Sequence, residues 1–130
     1  MNQLRLHHVA LWVEDLERMQ DFYVTTLGGS SGPLYENPRK GFWSYFISFS
    51  DGPRIELMRQ DGRHGVGRVG DGPGYAHVAL SVGGRAAVDE RVALLRSRGV
   101  RVVSEPRVTG DGYYEAVLED PEGNRIELVE

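Results

Sequence analysis

Cysteine is absent from this chain of 130 residues. Its absence excludes disulfides, thiolate metal sites and cysteine nucleophiles, so any bound metal would be held by nitrogen and oxygen atoms. The net charge of −4, with no local cluster of basic residues, gives the chain no electrostatic reason to bind nucleic acid. The apolar run from Val9 to Val13 is too short for a signal peptide or a membrane span. We therefore expect a cytoplasmic protein that binds neither nucleic acid nor membranes and acts on a small molecule.

What the chain does contain is an internal repeat. The tetrapeptide HVAL occurs at 8–11 and 77–80, and RIEL occurs at 54–57 and 125–128. Between the copies, RQDGRHGVGRVGDGPG is rich in glycine and lacks periodicity, which is typical of a linker or loop. The repeat divides a single domain into a first module at 4–60, a glycine-rich linker at 61–74 and a second module at 75–130.

Each copy is predicted to form a strand, a helix and further strands. In the first, DLERMQDFYVTTLG spaces its apolar residues at helical intervals, with Asp15 as the N-cap and Gly28 as the stop. In the second, a helix over roughly 85–98 has one apolar face and is closed by Gly99. The predicted strands are LRLHHVALWV, FWSYFISF and PRIELM in the first copy, and AHVALSV, VRVVSE, YYEAVLE and NRIELVE in the second. Two repeats are too few for a solenoid, which favours twofold pairing of two small sheets around a shared cavity.

The repeated tetrapeptides predict one histidine and one glutamate on the same face of each module. Successive side chains of a strand point to opposite faces, so the valine and leucine of HVAL lie opposite to its histidine, and the isoleucine and leucine of RIEL lie opposite to its glutamate. The side chains turned away from the apolar core are His8, Glu56, His77 and Glu127. If the modules pair by a twofold, two imidazoles and two carboxylates meet, a ligand set that suits a divalent first-row metal.

A competing interpretation is that both tetrapeptides are relics of gene duplication kept for packing. A single histidine beside an apolar strand is more often structural than a metal ligand. Packing accounts for the apolar half of each tetrapeptide, however, and gives no reason to repeat the charged half. Strand alternation also points His7 away from His8, so we expect His7 at the surface or in the second shell of the site.

The pattern HHVALWVEDLERMQDFYVTTLGG, RIELM, AHVALSV and DPEGNRIELVE resembles the vicinal oxygen chelate superfamily, and within it the glyoxalase I-like branch. The resemblance runs over essentially the whole chain. It implies an α+β fold in which two tandem βαβββ modules form a cup-shaped curved sheet around one metal. It also implies a homodimer in which each site takes ligands from both chains.

The resemblance assigns the metal ligands to the four residues that strand alternation selects: His8, Glu56, His77 and Glu127. This ligand set is that of the glyoxalase I branch, and it implies one divalent ion per site, with Ni²⁺ or Zn²⁺ favoured and Co²⁺, Mn²⁺ or Fe²⁺ also suitable. The implied reaction is isomerisation of a 2-oxoaldehyde hemithioacetal through an enediolate, with Glu127 as the catalytic base and Glu56 as its counterpart. Two other activities of the superfamily remain open: an Fe(II)-dependent extradiol-type dioxygenase, and a non-catalytic protein that binds a small molecule or antibiotic.

The sequence departs from the bacterial glyoxalase I pattern at two positions. Four residues after the first ligand, where those enzymes carry a glutathione-binding arginine, this chain has Trp12, and four after the second, in place of an asparagine, it has Gln60. These residues, with Trp43 and Tyr113, predict a substrate pocket that is more apolar than a glutathione site.

Overall fold

The computed structural model describes residues 1–65 and 72–130; residues 66–71, within the predicted linker, lie outside the described part. The chain divides into two compact units, Met1–Gly65 and Val66–Glu130. The elements of the first unit are β1 (His8–Trp12), α1 (Leu16–Asp21), a π-helix (Phe22–Thr26), β2 (Ser30–Ser31), β3 (Tyr35–Asn37), a 3-10 turn (Pro38–Lys40), β4 (Phe42–Ser48) and β5 (Arg54–Gln60). Those of the second are β6 (Val78–Ser81), α2 (Arg85–Ser97), β7 (Arg101–Val108), β8 (Tyr114–Glu119) and β9 (Arg125–Val129).

Both units arrange their strands in the same order. The first sheet runs β1-β5-β4-β2, with β3 also paired to β4, and the second runs β6-β9-β8-β7. In each, the first and last strands of the repeat are parallel neighbours, and the remaining long strands are antiparallel. The α+β class, with two mixed sheets and few helices, is confirmed. In the first unit two short strands, β2 and β3, share the place that β7 fills in the second.

The first helical segment follows its predicted limits but changes type within them. Asp15 caps α1 by accepting a hydrogen bond from the backbone nitrogen of Arg18 at 3.1 Å. After Asp21 the chain widens into the π-helix, in which Leu27 donates to the carbonyl of Phe22, five residues back. Gly28 then ends the segment at φ +84°. The predicted apolar face is buried throughout: Leu16, Met19, Phe22, Tyr23 and Leu27.

The second helix also agrees with its pattern. Val88, Val92 and Leu95 are buried against the sheet, and Gly99 follows the helix at φ +84°. Among the described residues, no helix has the length and apolar character needed to cross a membrane.

The first strand begins later than the sequence predicts, because its partner strand β5 begins only at the residue that pairs with His8. Alternation begins at Leu4, but β1 starts at His8, which pairs with Arg54 at the start of β5. The residue before Arg54 is Pro53, which has no N–H to continue the ladder. Residues 1–7 therefore remain exposed and outside the sheet.

A buried carboxylate holds the turn between β8 and β9. Asp120 is 5% exposed and accepts hydrogen bonds from the backbone nitrogens of Glu122 and Asn124 and from Nδ2 of Asn124, each at 2.9 Å. These bonds account for the DPEGN sequence, since a buried carboxylate requires several donors. The turn sets the register that places Glu127 opposite Val117.

Gly29 marks a close approach between the end of the π-helix and the sheet. A Cβ there would lie 2.8 Å from Cγ2 of Ile47 and 2.9 Å from the carbonyl oxygen of Tyr23. We expect Gly29→Ala to lower the free energy of unfolding by about 1–3 kcal/mol, as overpacking does. Gly110→Ala is the matched control, because a Cβ at Gly110 meets no atom within 4 Å. Urea unfolding of both variants measures the difference, and equal midpoints would contradict the predicted clash.

Candidate active site

In the first unit, the predicted pair of ligands comes together through the parallel pairing of β1 and β5. Glu56 pairs with Ala10, two residues along the strand from His8. His8 Nε2 lies 3.5 Å from Glu56 Oε1, and the glutamate side chain is only 14% exposed. The residues on either side of Glu56, Ile55 and Leu57, are buried on the other face. Strand alternation in β5 therefore follows the prediction.

The second unit repeats this geometry. His77 directly precedes β6, and Glu127 pairs with Ala79 on the adjacent parallel strand. His77 Nε2 lies 3.2 Å from Glu127 Oε2, and the glutamate side chain is 13% exposed. Its neighbours Ile126 and Leu128 are buried. The repeated tetrapeptides thus encode the same histidine–glutamate pair twice.

The separation within each pair fits two ligands of one metal ion. Nitrogen and oxygen ligands at about 2.1 Å from a metal lie about 3.0 Å apart at a right angle and about 3.4 Å apart at the tetrahedral angle. The observed separations are 3.5 Å and 3.2 Å. Within residues 1–65 and 72–130, no group of three or more histidine, aspartate or glutamate side chains is close enough to hold a metal. Each unit therefore presents one histidine–glutamate pair.

The environment of His8 includes residues that the sequence did not identify. Its ring packs edge-to-face on Phe46, with centroids 5.3 Å apart, and its Nδ1 lies 2.8 Å from Nδ1 of His7. His7 lies at the surface beside the predicted ligand, as expected, although strand alternation pointed it away from His8; β1 begins only at His8, so alternation does not extend to the residue before it. His7 is exposed and hydrogen-bonded to the predicted ligand.

Glu127 is the predicted ligand whose protonation differs most from that of a free side chain. Burial raises the pKa of Glu127 from its ordinary value of 4.5 to about 7, and a hydrogen bond to Glu115 and the negative charges of Glu115 and Asp111 add to the shift. Glu115 lies two residues from Val117, the strand partner of Glu127, and therefore on the same face of the sheet. In the metal-free protein this carboxyl group holds its proton at weakly acidic pH.

The raised pKa of Glu127 predicts how stability depends on pH. Between pH 4.5 and about 7 the unfolded chain ionises Glu127 while the folded protein keeps the proton. This contribution to the free energy of unfolding is therefore full below pH 4.5 and is lost as the pH rises to about 7. Urea titrations of the protein in chelator across this range measure it, with Glu127→Gln as the comparison. A wild-type profile parallel to that of the variant would contradict the shift.

At the far end of β1, an arginine occupies the region predicted to be apolar. Trp12 is 44% exposed, and its indole packs edge-to-face on Phe42. The Cζ of Arg63 lies 3.9 Å from the centre of the indole ring, and its Nη2 donates to Oε1 of Gln60 at 3.3 Å. Trp12 and Gln60 both contact Arg63, so this cluster combines an exposed indole with a guanidinium. No sequence pattern pointed to Arg63, because it lies beyond the last strand of the first unit in an aperiodic segment.

The two remaining residues of the predicted pocket are Trp43 and Tyr113. Because Phe46 is the strand partner of Glu56, Trp43 projects from the opposite face of β4, where Arg59 packs over its ring at 4.4 Å. Trp43 lines a cavity beside the start of α1, on the face of the sheet opposite to Glu56. Tyr113 is 55% exposed in the turn between β7 and β8, and its carbonyl accepts a hydrogen bond from the backbone of Thr109.

Comparison with known proteins agrees with the resemblance carried by the sequence motifs. The sequence profile of the Glyoxalase/Bleomycin resistance protein/Dioxygenase superfamily matches residues 5–128. The lactoylglutathione lyase of Escherichia coli O157:H7 is 34% identical over 128 residues, which cover 98% of this chain and 93% of that protein.

Solved structures show the same fold. The trypanothione-dependent glyoxalase I of Leishmania major superposes with a TM-score of 0.76 at 26% identity, covering 98% of this chain and 86% of that one. A V278E mutant of glyoxalase I from Zea mays gives a TM-score of 0.77 at 26% identity, over 96% of this chain. The chain spans 44% of the length of that plant protein.

Proposed function

Because this chain belongs to the glyoxalase/bleomycin resistance protein/dioxygenase superfamily, we propose that it is a glyoxalase I-like enzyme that isomerises the hemithioacetal of a 2-oxoaldehyde. The observation that carries the proposal is the pair of histidine and glutamate side chains formed identically in each unit, at 3.5 Å and 3.2 Å. Likeness to a bacterial lactoylglutathione lyase over nearly the whole chain supports the same reaction class.

The proposed site holds one divalent ion on His8, Glu56, His77 and Glu127. Ni²⁺ and Zn²⁺ are favoured, and Co²⁺, Mn²⁺ and Fe²⁺ also suit nitrogen and oxygen ligands. When bound, the ion would polarise the two neighbouring oxygens of the substrate and lower the cost of the enediolate.

In this proposal the protein moves one proton between adjacent carbons. The carboxylate of Glu127 removes the proton from the carbon that bears the sulfur and returns it to the neighbouring carbonyl carbon. The hydroxyl proton passes from the oxygen of the first carbon to the oxygen of the second, which yields a 2-hydroxyacyl thioester. Glu56 is its counterpart in the first unit. Arg63, Gln60 and Trp12 bind the thiol portion of the substrate. Trp12 lies four residues beyond His8, about 13 Å along the strand, so the thiol portion must be long enough to reach it.

Metal content tests the proposal directly. We expect about one ion per predicted four-ligand site after mild loading and desalting, measured by elemental analysis, and much less in His8→Ala. A ratio near zero in the wild-type protein, unchanged by His8→Ala, would favour a non-catalytic protein that binds a small molecule or antibiotic.

The homodimer with shared sites is also a proposal, and it can be tested by complementation. His8→Ala and His77→Ala chains, co-expressed with different tags, would form mixed dimers with one intact site if each site combines the first unit of one chain with the second unit of the other. Random pairing in a symmetric dimer would then restore about a quarter of wild-type activity. No recovery in mixed dimers isolated through both tags would contradict the sharing.

The rival enzyme is an Fe(II)-dependent extradiol-type dioxygenase, which would need only His8, His77 and Glu127. Oxygen uptake with catechols that survives Glu56→Gln would favour it. Turnover of a hemithioacetal, in a panel made from different thiols, that is impaired by Glu56→Gln would instead support the isomerase.

A further inference from the structure

The imidazole of His8 is held by a second imidazole. The rings of His7 and His8 meet edge-to-face, with centroids 5.1 Å apart, and their Nδ1 atoms are 2.8 Å apart. At this distance one Nδ1 must donate a proton to the other. Because Phe46 packs against the His8 ring from another side, Nε2 is left to face Glu56.

Arg54 determines the direction of this hydrogen bond in the structure. Its guanidinium lies over Phe46, with Cζ 4.3 Å from the ring centre, and its Nη2 is 3.4 Å from Nε2 of His7. A guanidinium only donates, so Nε2 of His7 accepts and Nδ1 of His7 carries the proton. Nδ1 of His8 then accepts, which puts the His8 proton on Nε2, towards Glu56. Each contact along this chain, from Arg54 through His7 and His8 to Glu56, then joins one donor to one acceptor.

A histidine that binds a metal through Nε2 needs the opposite tautomer. Its Nε2 must offer a lone pair, so its proton sits on Nδ1 and is donated to a neighbouring group. For His8 that group is Nδ1 of His7, at 2.8 Å. His7 would then carry its own proton on Nε2, where it can no longer accept from Arg54.

We propose that His7 is a positioning residue for His8. Its ring accepts the Nδ1 proton of His8 in the metal-loaded protein, and the two rings exchange tautomers when metal binds, which breaks the hydrogen bond from Arg54 to His7. The proposal rests on the proposed function in one respect, the ligation of metal by His8.

The second unit supplies an internal comparison. Its predicted ligand His77 follows Ala76, whose side chain can neither donate nor accept a hydrogen bond. The supporting histidine is therefore specific to the first unit, and His7→Ala makes the first unit like the second.

Affinity for Zn²⁺, measured by competition with a chromophoric chelator at fixed pH, tests the proposal without an activity assay. We expect His7→Ala to weaken binding about tenfold, the lower end of the effect of removing such a partner. His7→Asn should restore most of the affinity, because its Oδ1 can accept in place of Nδ1. The control is His64→Ala, which removes an exposed histidine 4.0 Å from Glu14 and should leave the affinity unchanged.

Nitrogen-15 NMR of the histidine rings supplies the spectroscopic signature. We expect the proton of His8 to be on Nε2 in the metal-free protein and on Nδ1 with Zn²⁺ bound, and the proton of His7 to move in the opposite sense. Wild-type affinity in His7→Ala, no rescue by His7→Asn, or an unchanged His8 tautomer would each overturn the proposal. If His8→Ala abolishes Zn²⁺ binding while His7→Ala does not weaken it, the proposed metal site is supported and only the role of His7 is wrong. If His8→Ala binds Zn²⁺ normally, the proposed function is wrong as well.

Discussion

Glu127→Gln is expected to lower kcat/KM for hemithioacetal isomerisation by about 10²–10⁴-fold, the contribution of a positioned general base. Glutamine keeps the size of the side chain but cannot take a proton. The loss would not reflect unfolding, because burial and Glu115 already disfavour the ionised form of Glu127 in the fold. The neutral amide avoids that cost, so the variant should be at least as stable as the wild type at neutral pH.

Two other substitutions complete this experiment. Glu56→Gln should also impair the isomerase, because the four-ligand site loses a carboxylate, whereas a three-ligand dioxygenase would tolerate it. Glu90→Gln, on the exposed side of α2, is the control for removing one negative charge. Initial rates with methylglyoxal and glutathione give kcat/KM, and a Glu127→Gln enzyme with at least half of wild-type activity would exclude Glu127 as the base.

Arg63→Ala is expected to reduce kcat/KM for hemithioacetals of anionic thiols by about 10–100-fold, since hydrogen bonds to charged groups contribute about 1.5–3 kcal/mol. The guanidinium rests on the exposed indole of Trp12 and uses one donor on Gln60, which leaves other donors able to bind a carboxylate. Hemithioacetals of a neutral thiol such as 2-mercaptoethanol should react equally well with both enzymes.

Arg59→Ala is the matched control for Arg63→Ala. Arg59 also stacks on a tryptophan, with its Cζ 4.4 Å from the ring of Trp43, but on the other face of the sheet. Its removal should leave the preference between anionic and neutral thiols unchanged. Equal losses for both thiol classes in Arg63→Ala, or the same loss of preference in Arg59→Ala, would show that Arg63 does not bind the anionic group.

The features predicted correctly from sequence depend on periodicity and repetition. In β5 the alternation that buries Ile55 and Leu57 leaves Glu56 on the opposite face. The same argument succeeds for Glu127, because a strand with one buried face has its side-chain directions fixed by the pleat. The N-cap at Asp15 is equally local, since the carboxylate bonds to a nitrogen only three residues away.

The features that no sequence pattern predicted depend on which segments meet. The register of β4 on β5 decides that Phe46, rather than Trp43, shares a face with Glu56. The end of the β1 ladder at Arg54 frees His7 from strand alternation and lets it turn towards His8. The turn after β5 brings Arg63 over Trp12, although 50 residues lie between them. By itself the sequence indicated the superfamily, through motifs that resemble it over the whole chain, and determined the facing of Glu56 and Glu127, because that facing follows from strand alternation. The tertiary structure alone decided which side chains surround them, because strand pairing and chain reversal join segments that no periodicity connects.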